Sequence, residues 1–292
     1  MATITQWVEG ARPRTLAAAV APVLVGAGAA GLGHRVAPLV LILTLVFSVL
    51  LQVGVNYAND YSDGIRGTDV RRVGPVRLVG QQLARPGQVK AAAFTCFGVA
   101  AALGLGLVLA AKAWWLLPLG LAAIAAAWFY TGGSNPYGYR GLGELFVFVF
   151  FGLVATLGTE YLLTLAVTWV GLAGAVGVGL LASAILVANN LRDIPTDSVT
   201  GKHTLAVRLG DPATRRLYLA MLAGAALAAA AITVAHPWCW LTVAAFTLAV
   251  RPVRLVRSGA TGRELIAVLA GTNVLLLGYG VLLAGALALS TR

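Results

Sequence analysis

Long stretches of this chain carry no charge, and the breaks between them are polar, glycine-rich or proline-containing. Nine apolar runs follow one another, at 15–33, 38–58, 90–110, 114–130, 144–163, 169–189, 215–235, 238–256 and 265–289. A membrane-crossing helix needs about 20 mostly apolar residues. The pattern therefore predicts an all-α polytopic bundle of nine transmembrane helices in a lipid bilayer, forming one integral-membrane domain over 1–292. Two boundaries rest on little sequence, the turn around Lys112 and the His236-Pro237 pair. The first run follows Arg12 and Arg14 as a secretory leader would. It is long enough to span, and further spans follow, so it reads as a retained first helix.

Composition agrees: 59% of the 292 residues are hydrophobic and 11% are charged, against about 25% charged in an ordinary soluble chain. The net charge of +11 would suggest nucleic acid in a soluble protein. Its distribution points elsewhere. The long polar links follow the second, fourth, sixth and eighth runs, and with the N-terminus inside they all share the cytoplasmic face. That face then holds 18 of the 21 basic residues, leaving Arg35, Lys112 and Arg292 outside. Such a bias fixes orientation. It predicts a cell-membrane protein with a cytoplasmic N-terminus, an external C-terminus and no nucleic-acid partner; no obligate protein partner is evident. Cys96 and Cys239 form no paired motif, and His34, His203 and His236 lack metal-ligand spacing.

With only ten acidic residues in the chain, five of them in two clusters carry most of the information. Asn56, Asp60 and Asp63 stand at i, i+4 and i+7 as the second run ends, with Arg66 and Asp69 beyond. Asn189, Asp193 and Asp197 stand at i, i+4 and i+8 as the sixth run ends, with Asn190, Arg192 and Lys202 alongside. Each set makes one polar stripe on a continuing helix, and Pro195 is placed to end or bend the second. The two helices leave the bilayer on the same face, so the clusters can converge. Carboxylates at membrane depth are costly and mark function, and together they repel unless a cation lies between them. Hard oxygen ligands suit Mg²⁺, which recruits substrate phosphates, and the adjacent arginines and lysine suit the remaining phosphate charge. The expected site is Mg²⁺ plus diphosphate at the cytoplasmic face. A third segment, 130–144, brings Tyr130, Tyr139 and Arg140 to that face, its tyrosines lining a pocket or forming an interfacial belt. Tyr57 and Tyr61 interleave with the first stripe and could face a cationic intermediate. Glu160 reads as structural.

At these residues the chain resembles the UbiA superfamily of intramembrane prenyltransferases. Asn-Asp-Tyr-Ser-Asp-Gly-Ile-Arg-Gly-Thr-Asp (59–69), Tyr-Thr-Gly-Gly (130–133) and Asn-Asn-Leu-Arg-Asp-Ile-Pro-Thr-Asp with its Gly-Lys-His-Thr tail (189–204) are most similar to its 1,4-dihydroxy-2-naphthoate polyprenyltransferase branch. The resemblance implies nine helices, a polyprenyl diphosphate and 1,4-dihydroxy-2-naphthoate as substrates, and demethylmenaquinone, CO₂ and diphosphate as products, as in menaquinone biosynthesis. Carried over by position, Asn56, Asp60, Asp193 and Asp197 match the metal-diphosphate positions, with Asp63 or Asp69 completing the first motif. Arg66, Lys202, Arg140 and Arg192 would bind diphosphate. Tyr57, Tyr61, Tyr130, Tyr139, Asn189 and Asn190 would surround the aromatic substrate or the allylic cation. The alternatives are another acceptor, such as 4-hydroxybenzoate or homogentisate, or an organic-anion transporter.

Overall fold

A computed structural model describes residues 2–67 and 76–291, and all regular structure among them is helical. Asp69, a member of the expected first motif, lies outside the described residues. The chain opens with α1 (Ile4–Gly10), whose first turn is closed by reciprocal bonds between Thr3 and Gln6. Arg12 then takes a left-handed conformation (φ 55°) and Pro13 starts a short 3₁₀ turn, a local arrangement that costs energy in a non-glycine residue. The turn bends the axis by 49° into α2 (Ala17–Gly31).

Next come α3 (Pro38–Ile65), α4 (Pro86–Ala111) and α5 (Leu116–Phe129). A single span follows as α6 (Gly143–Val147), a π-helical stretch over Phe148–Val154, and α7 (Ala155–Thr164). Then come α8 (Trp169–Val199), the short α9 (Leu205–Leu209) and α10 (Asp211–Thr233). The chain ends with α11 (Trp240–Ala244), a 3₁₀ turn, α12 (Val250–Arg257) and α13 (Glu264–Leu289).

Each expected run falls on helix, but not every one has the helical length of a full span. Among the described residues seven helical stretches have the length and hydropathy of a span, or eight if the bent Ile4–Thr15 and Ala17–Gly31 pair counts as one. The fourth run is only the 14-residue α5. At 1.5 Å per residue it reaches about 21 Å, short of a hydrocarbon core of about 30 Å. Its C-terminal end turns at Tyr130 into the 131–142 loop, which lies against the internal cavity where irregular backbone can be tolerated. Two runs extend beyond their expected ends. The helix α3 continues seven residues past 58, and α8 continues ten past 189 with Pro195 inside it. Both acidic stripes are therefore helical.

Packing follows from small residues. A Cβ on Gly152 would lie 2.5 Å from the Cα of Gly179, and one on Gly280 would lie 2.9 Å from the Cα of Ala21, so these helices touch backbone to backbone, as close association in lipid favours. One core forms around α8, α10 and α13, including the buried Tyr218, Leu222, Leu275 and Leu283. A second joins α3 and α4 through Tyr57, Phe97, Val89 and Leu78. Five tryptophans, Trp114, Trp115, Trp169, Trp238 and Trp240, stand more than half exposed in the α4–α5, α7–α8 and α10–α11 connections, where an aromatic belt meets the membrane surface. These connections lie at the end away from the acidic stripes.

Candidate active site

Between the two cores lies a cavity of about 990 Å³. Its walls come from α2, α3, α4, α5, the π-helical stretch, α7, α8 and α13, and most are apolar. The polar end gathers at the C-terminal turns of α3 and α8, the 131–142 loop and the segment after α1.

On α3 the face turned to this cavity is Asn56, Asn59 and Asp63, a spacing of i, i+3 and i+7. Asp63 Oδ1 accepts the Tyr139 hydroxyl at 2.5 Å and pairs with Lys202 Nζ at 3.1 Å, both partners of the ion pair being almost fully buried. The same ammonium lies 4.5 Å from the centre of the Tyr139 ring. Three segments distant in sequence thus meet at one carboxylate. Asn56 donates to the Ala11 carbonyl at 2.8 Å and to Thr15 Oγ1 at 3.1 Å, tying α3 to the turn before α2. The side-chain carbonyl of Asn59 accepts from Thr131 Oγ1 at 2.8 Å.

Asp60 points elsewhere. It is fully buried, is not among the cavity-lining residues, and accepts the backbone N–H groups of Leu78 (2.7 Å) and Val79 (3.0 Å). The expected stripe read 56/60/63; the helix presents 56/59/63 and leaves Asp60 to hold the returning loop. That loop carries Arg77, which lines the cavity.

On α8, Asn189, Asn190, Arg192 and Asp197 line the cavity. Arg192 makes a fork onto Asp193, Nε to Oδ1 at 2.7 Å and Nη2 to Oδ2 at 2.8 Å, and also donates to Asn189 Oδ1 at 2.8 Å. Asp193 is therefore engaged by its neighbour and is not itself in the lining. Tyr130 and Tyr139 stand in the wall as expected, with Tyr137 between them. Burial pushes the Tyr137 hydroxyl well above the ordinary phenol range, so it stays a neutral donor, bonded to the Ala126 carbonyl at 2.9 Å.

Besides Asp60 and Asp193, four expected site residues lie off the cavity. Tyr57 donates to the Trp7 carbonyl at 2.9 Å and anchors α1. Tyr61 stacks on Trp128 with centroids 6.1 Å apart. The Arg66 guanidinium donates to the carbonyls of Thr131 and Gly133, bracing the 131–142 loop from outside. Arg140 is exposed and away from the lining. Tyr57, Tyr61 and Arg66 are close to the first stripe in sequence but the helical angle faces them another way, and the path of the 131–142 loop carries Arg140 outward.

The cavity also recruits residues that spacing did not single out: Asn59, Thr131, and the cations Arg12 and Arg77. Asn59 had a signal, because Asn59/Asp63 repeats the i, i+4 relation of Asn189/Asp193. Arg12 carried only the appearance of an orienting charge.

The sequence profile of the UbiA prenyltransferase family matches residues 19–264. A 1,4-dihydroxy-2-naphthoate octaprenyltransferase of Mycobacterium tuberculosis is 56% identical over 288 residues, covering 99% of this chain and 98% of that protein. Among solved structures, an apo UbiA homolog from Aeropyrum pernix superimposes with a TM-score of 0.69 at 17% identity, covering 89% of this chain and 96% of the other. A UbiA homolog from Archaeoglobus fulgidus bound to DMAPP and Mg²⁺ gives 0.65 at 14% identity, covering 96% and 99%.

Proposed function

This chain belongs to the UbiA prenyltransferase family, and from that premise we propose that it transfers a polyprenyl group from polyprenyl diphosphate to 1,4-dihydroxy-2-naphthoate, releasing diphosphate and CO₂ and yielding demethylmenaquinone in its reduced form. The observation that carries this reading is a charged head on a long apolar chamber. Asp63, Asp197, Arg192 and Lys202 stand at one end of a cavity whose other walls are largely leucine, alanine, valine and phenylalanine. A polyprenyl diphosphate has the same division.

The donor set fits Mg²⁺. Asp63 and Asp197, with the side-chain carbonyls of Asn56, Asn59 and Asn189, offer hard oxygens in the cavity wall. Among the described residues no three Asp, Glu, His or Cys side chains lie close enough to hold a metal by themselves. Mg²⁺ commonly takes one or two carboxylates and fills its octahedron with water and substrate phosphate, which suits a site shared with diphosphate. Bound there, the ion would supply charge neutralisation for the departing group.

The protein's own cations do the rest of that work. Lys202 and Arg192, with Arg12 and Arg77 across the cavity, are the phosphate-facing groups, and their excess over the lining carboxylates favours an anionic guest. Asp193 orients Arg192 through the forked pair. As the allylic C–O bond breaks, its electron pair leaves with diphosphate, and the apolar walls keep water from the allylic cation. The ring carbon bearing the carboxylate forms the new C–C bond. The carboxylate then departs as CO₂, its bonding pair restoring the aromatic ring. Tyr130, Tyr139, Asn189 and Asn190 supply the acceptor's surroundings.

The site lies at the end opposite the exposed tryptophan connections, where the basic residues gather. That bias supports a cytoplasmic site and N-terminus, an external C-terminus and nine crossings, the short α5 counted among them because it joins the tryptophan end to the 131–142 loop at the site. The test is prenyl transfer by purified protein in detergent. Dihydroxynaphthoate and a polyprenyl diphosphate should give the prenylated naphthoquinol only with Mg²⁺. Preferential prenylation of 4-hydroxybenzoate would overturn the acceptor assignment, and metal-independent turnover would overturn the site.

A further inference from the structure

Glu144, in the first turn of α6, takes no part in the diphosphate end of the cavity, yet it is only 5% exposed. Its Oε1 accepts Asn190 Nδ2 at 2.9 Å, and its backbone carbonyl accepts the Ser183 hydroxyl at 3.0 Å. The other carboxyl oxygen, Oε2, is buried with no hydrogen-bond partner among the described residues. A buried polar group left half satisfied is costly and calls for a reason. The preceding Gly143 shows how near the cavity this is: a Cβ there would meet Leu186 Cδ2 at 3.1 Å and the Tyr130 ring at 3.2 Å, both side chains lining the chamber.

The adjacent asparagines of α8 are tied in opposite directions. Asn189 Oδ1 is held by Arg192, at the phosphate end. Asn190 Nδ2 is held by Glu144, behind the wall. A side-chain amide has two N–H donors on nitrogen and one carbonyl acceptor, and a carboxyl oxygen without a proton only accepts. With one of its two N–H donors committed to Glu144, the amide plane of Asn190 is fixed, and its carbonyl oxygen is the acceptor it has left for the chamber it lines.

We infer that Glu144 is a positioning residue for the aromatic acceptor: it locks the Asn190 amide so that Oδ1 accepts the hydrogen bond of a ring hydroxyl. The inference rests on the prenyl-acceptor reading above and deepens it. A hydroxyl donating to a fixed carbonyl holds the ring in one orientation over the allylic carbon. A ring whose hydroxyl is capped as a methyl ether has no proton to give and leaves Oδ1 unpaired, so the site should discriminate against it.

The test compares steady-state kinetics of the full chain in detergent with Mg²⁺, using dihydroxynaphthoate, its two monomethyl ethers and a polyprenyl diphosphate. Glu144→Leu should raise the acceptor KM at least about tenfold while the prenyl diphosphate KM stays within about twofold. It should also narrow the preference for the free hydroxyl over the disfavoured ether by at least about fivefold. Glu144→Gln, whose amide oxygen still accepts the Asn190 N–H, should bring the acceptor KM back to within about threefold of wild type. Asn190→Ala should reproduce Glu144→Leu, with no further loss in the double variant. An unchanged ether preference in Glu144→Leu or Asn190→Ala overturns the inference, as does an equal rise in both KM values. If Glu144→Leu fails to fold, Asn190→Ala and Glu144→Gln decide on the same criteria. A wild type that prenylates neither the naphthoate nor its ethers overturns this inference together with the reading beneath it; an active wild type with unaltered variants overturns this inference alone.

Discussion

Replacing Asp60 by asparagine separates two roles that spacing cannot distinguish. If its carboxylate held metal, the variant would bind Mg²⁺ and diphosphate poorly and leave the loop alone. The structure gives it two backbone N–H donors instead, from Leu78 at 2.7 Å and Val79 at 3.0 Å, in a fully buried setting. Hydrogen bonds to a charged acceptor contribute about 1.5–3 kcal/mol each. Asparagine keeps one acceptor oxygen and turns an NH₂ toward the second N–H, losing that bond and leaving a buried donor opposed to a donor. The expected cost to closure of the 76–79 segment is about 3 kcal/mol, which lowers amide protection about a hundredfold. Hydrogen exchange followed by mass spectrometry on the detergent-solubilised protein reads this directly in peptides containing Leu78 and Val79. Asp63→Asn is the contrasting control, since it should leave those amides protected and raise the Mg²⁺ concentration needed for half-maximal transfer at least about tenfold. Unchanged protection in Asp60→Asn, together with a tenfold shift in its Mg²⁺ requirement, would refute the loop assignment and return Asp60 to the metal.

Three further outcomes follow from the same geometry. Lys202→Met removes one partner of the buried Asp63 ion pair and should destabilise by about 3 kcal/mol, the low end for such losses, because Tyr139 still donates to Asp63. Thermal unfolding should show Asp63→Asn/Lys202→Met recovering most of that stability without recovering turnover. Arg192→Lys keeps the charge but loses the fork onto Asp193; it should raise the prenyl diphosphate KM about tenfold or more and spare the acceptor KM, as measured by varying each substrate in turn. Gly152→Val puts side-chain atoms into the backbone contact with Gly179 and should cost at least about 1–3 kcal/mol, seen as a lower unfolding temperature with the ratio of the two KM values unchanged.

Much of the site was legible because charge is scarce in an apolar chain. Four carboxylates in two helical stripes, Asp60, Asp63, Asp193 and Asp197, could be located from spacing alone, and the meeting of Asp63 with Lys202, 139 residues away, follows the expected convergence. The differences of detail share one cause. Residues 56, 60 and 63 and residues 56, 59 and 63 are both acceptable stripes on an isolated helix, each spreading over a broad face. Only the packing of α3 against its neighbours and the return of Leu78 and Val79 beneath it assigns Asp60 to the loop and Asn59 to the cavity. Arg66 is likewise three residues from Asp63 in sequence yet reaches around the outside of the 131–142 loop.

What the amino-acid order determined by itself was whatever depends on period and polarity: a helical membrane chain, its apolar runs, the sorting of its basic residues into alternate links, and the two acidic stripes. The tertiary structure decided the matters that depend on rotation about a helix axis and on loop path. It shortened the fourth run to 14 residues, carried α8 through Pro195, and turned Tyr57, Tyr61 and Arg140 away from the chamber. It also set Glu144 behind Asn190 at 2.9 Å. A periodic pattern states which residues share a helix face, but that face acquires a direction only when other helices occupy the space around it.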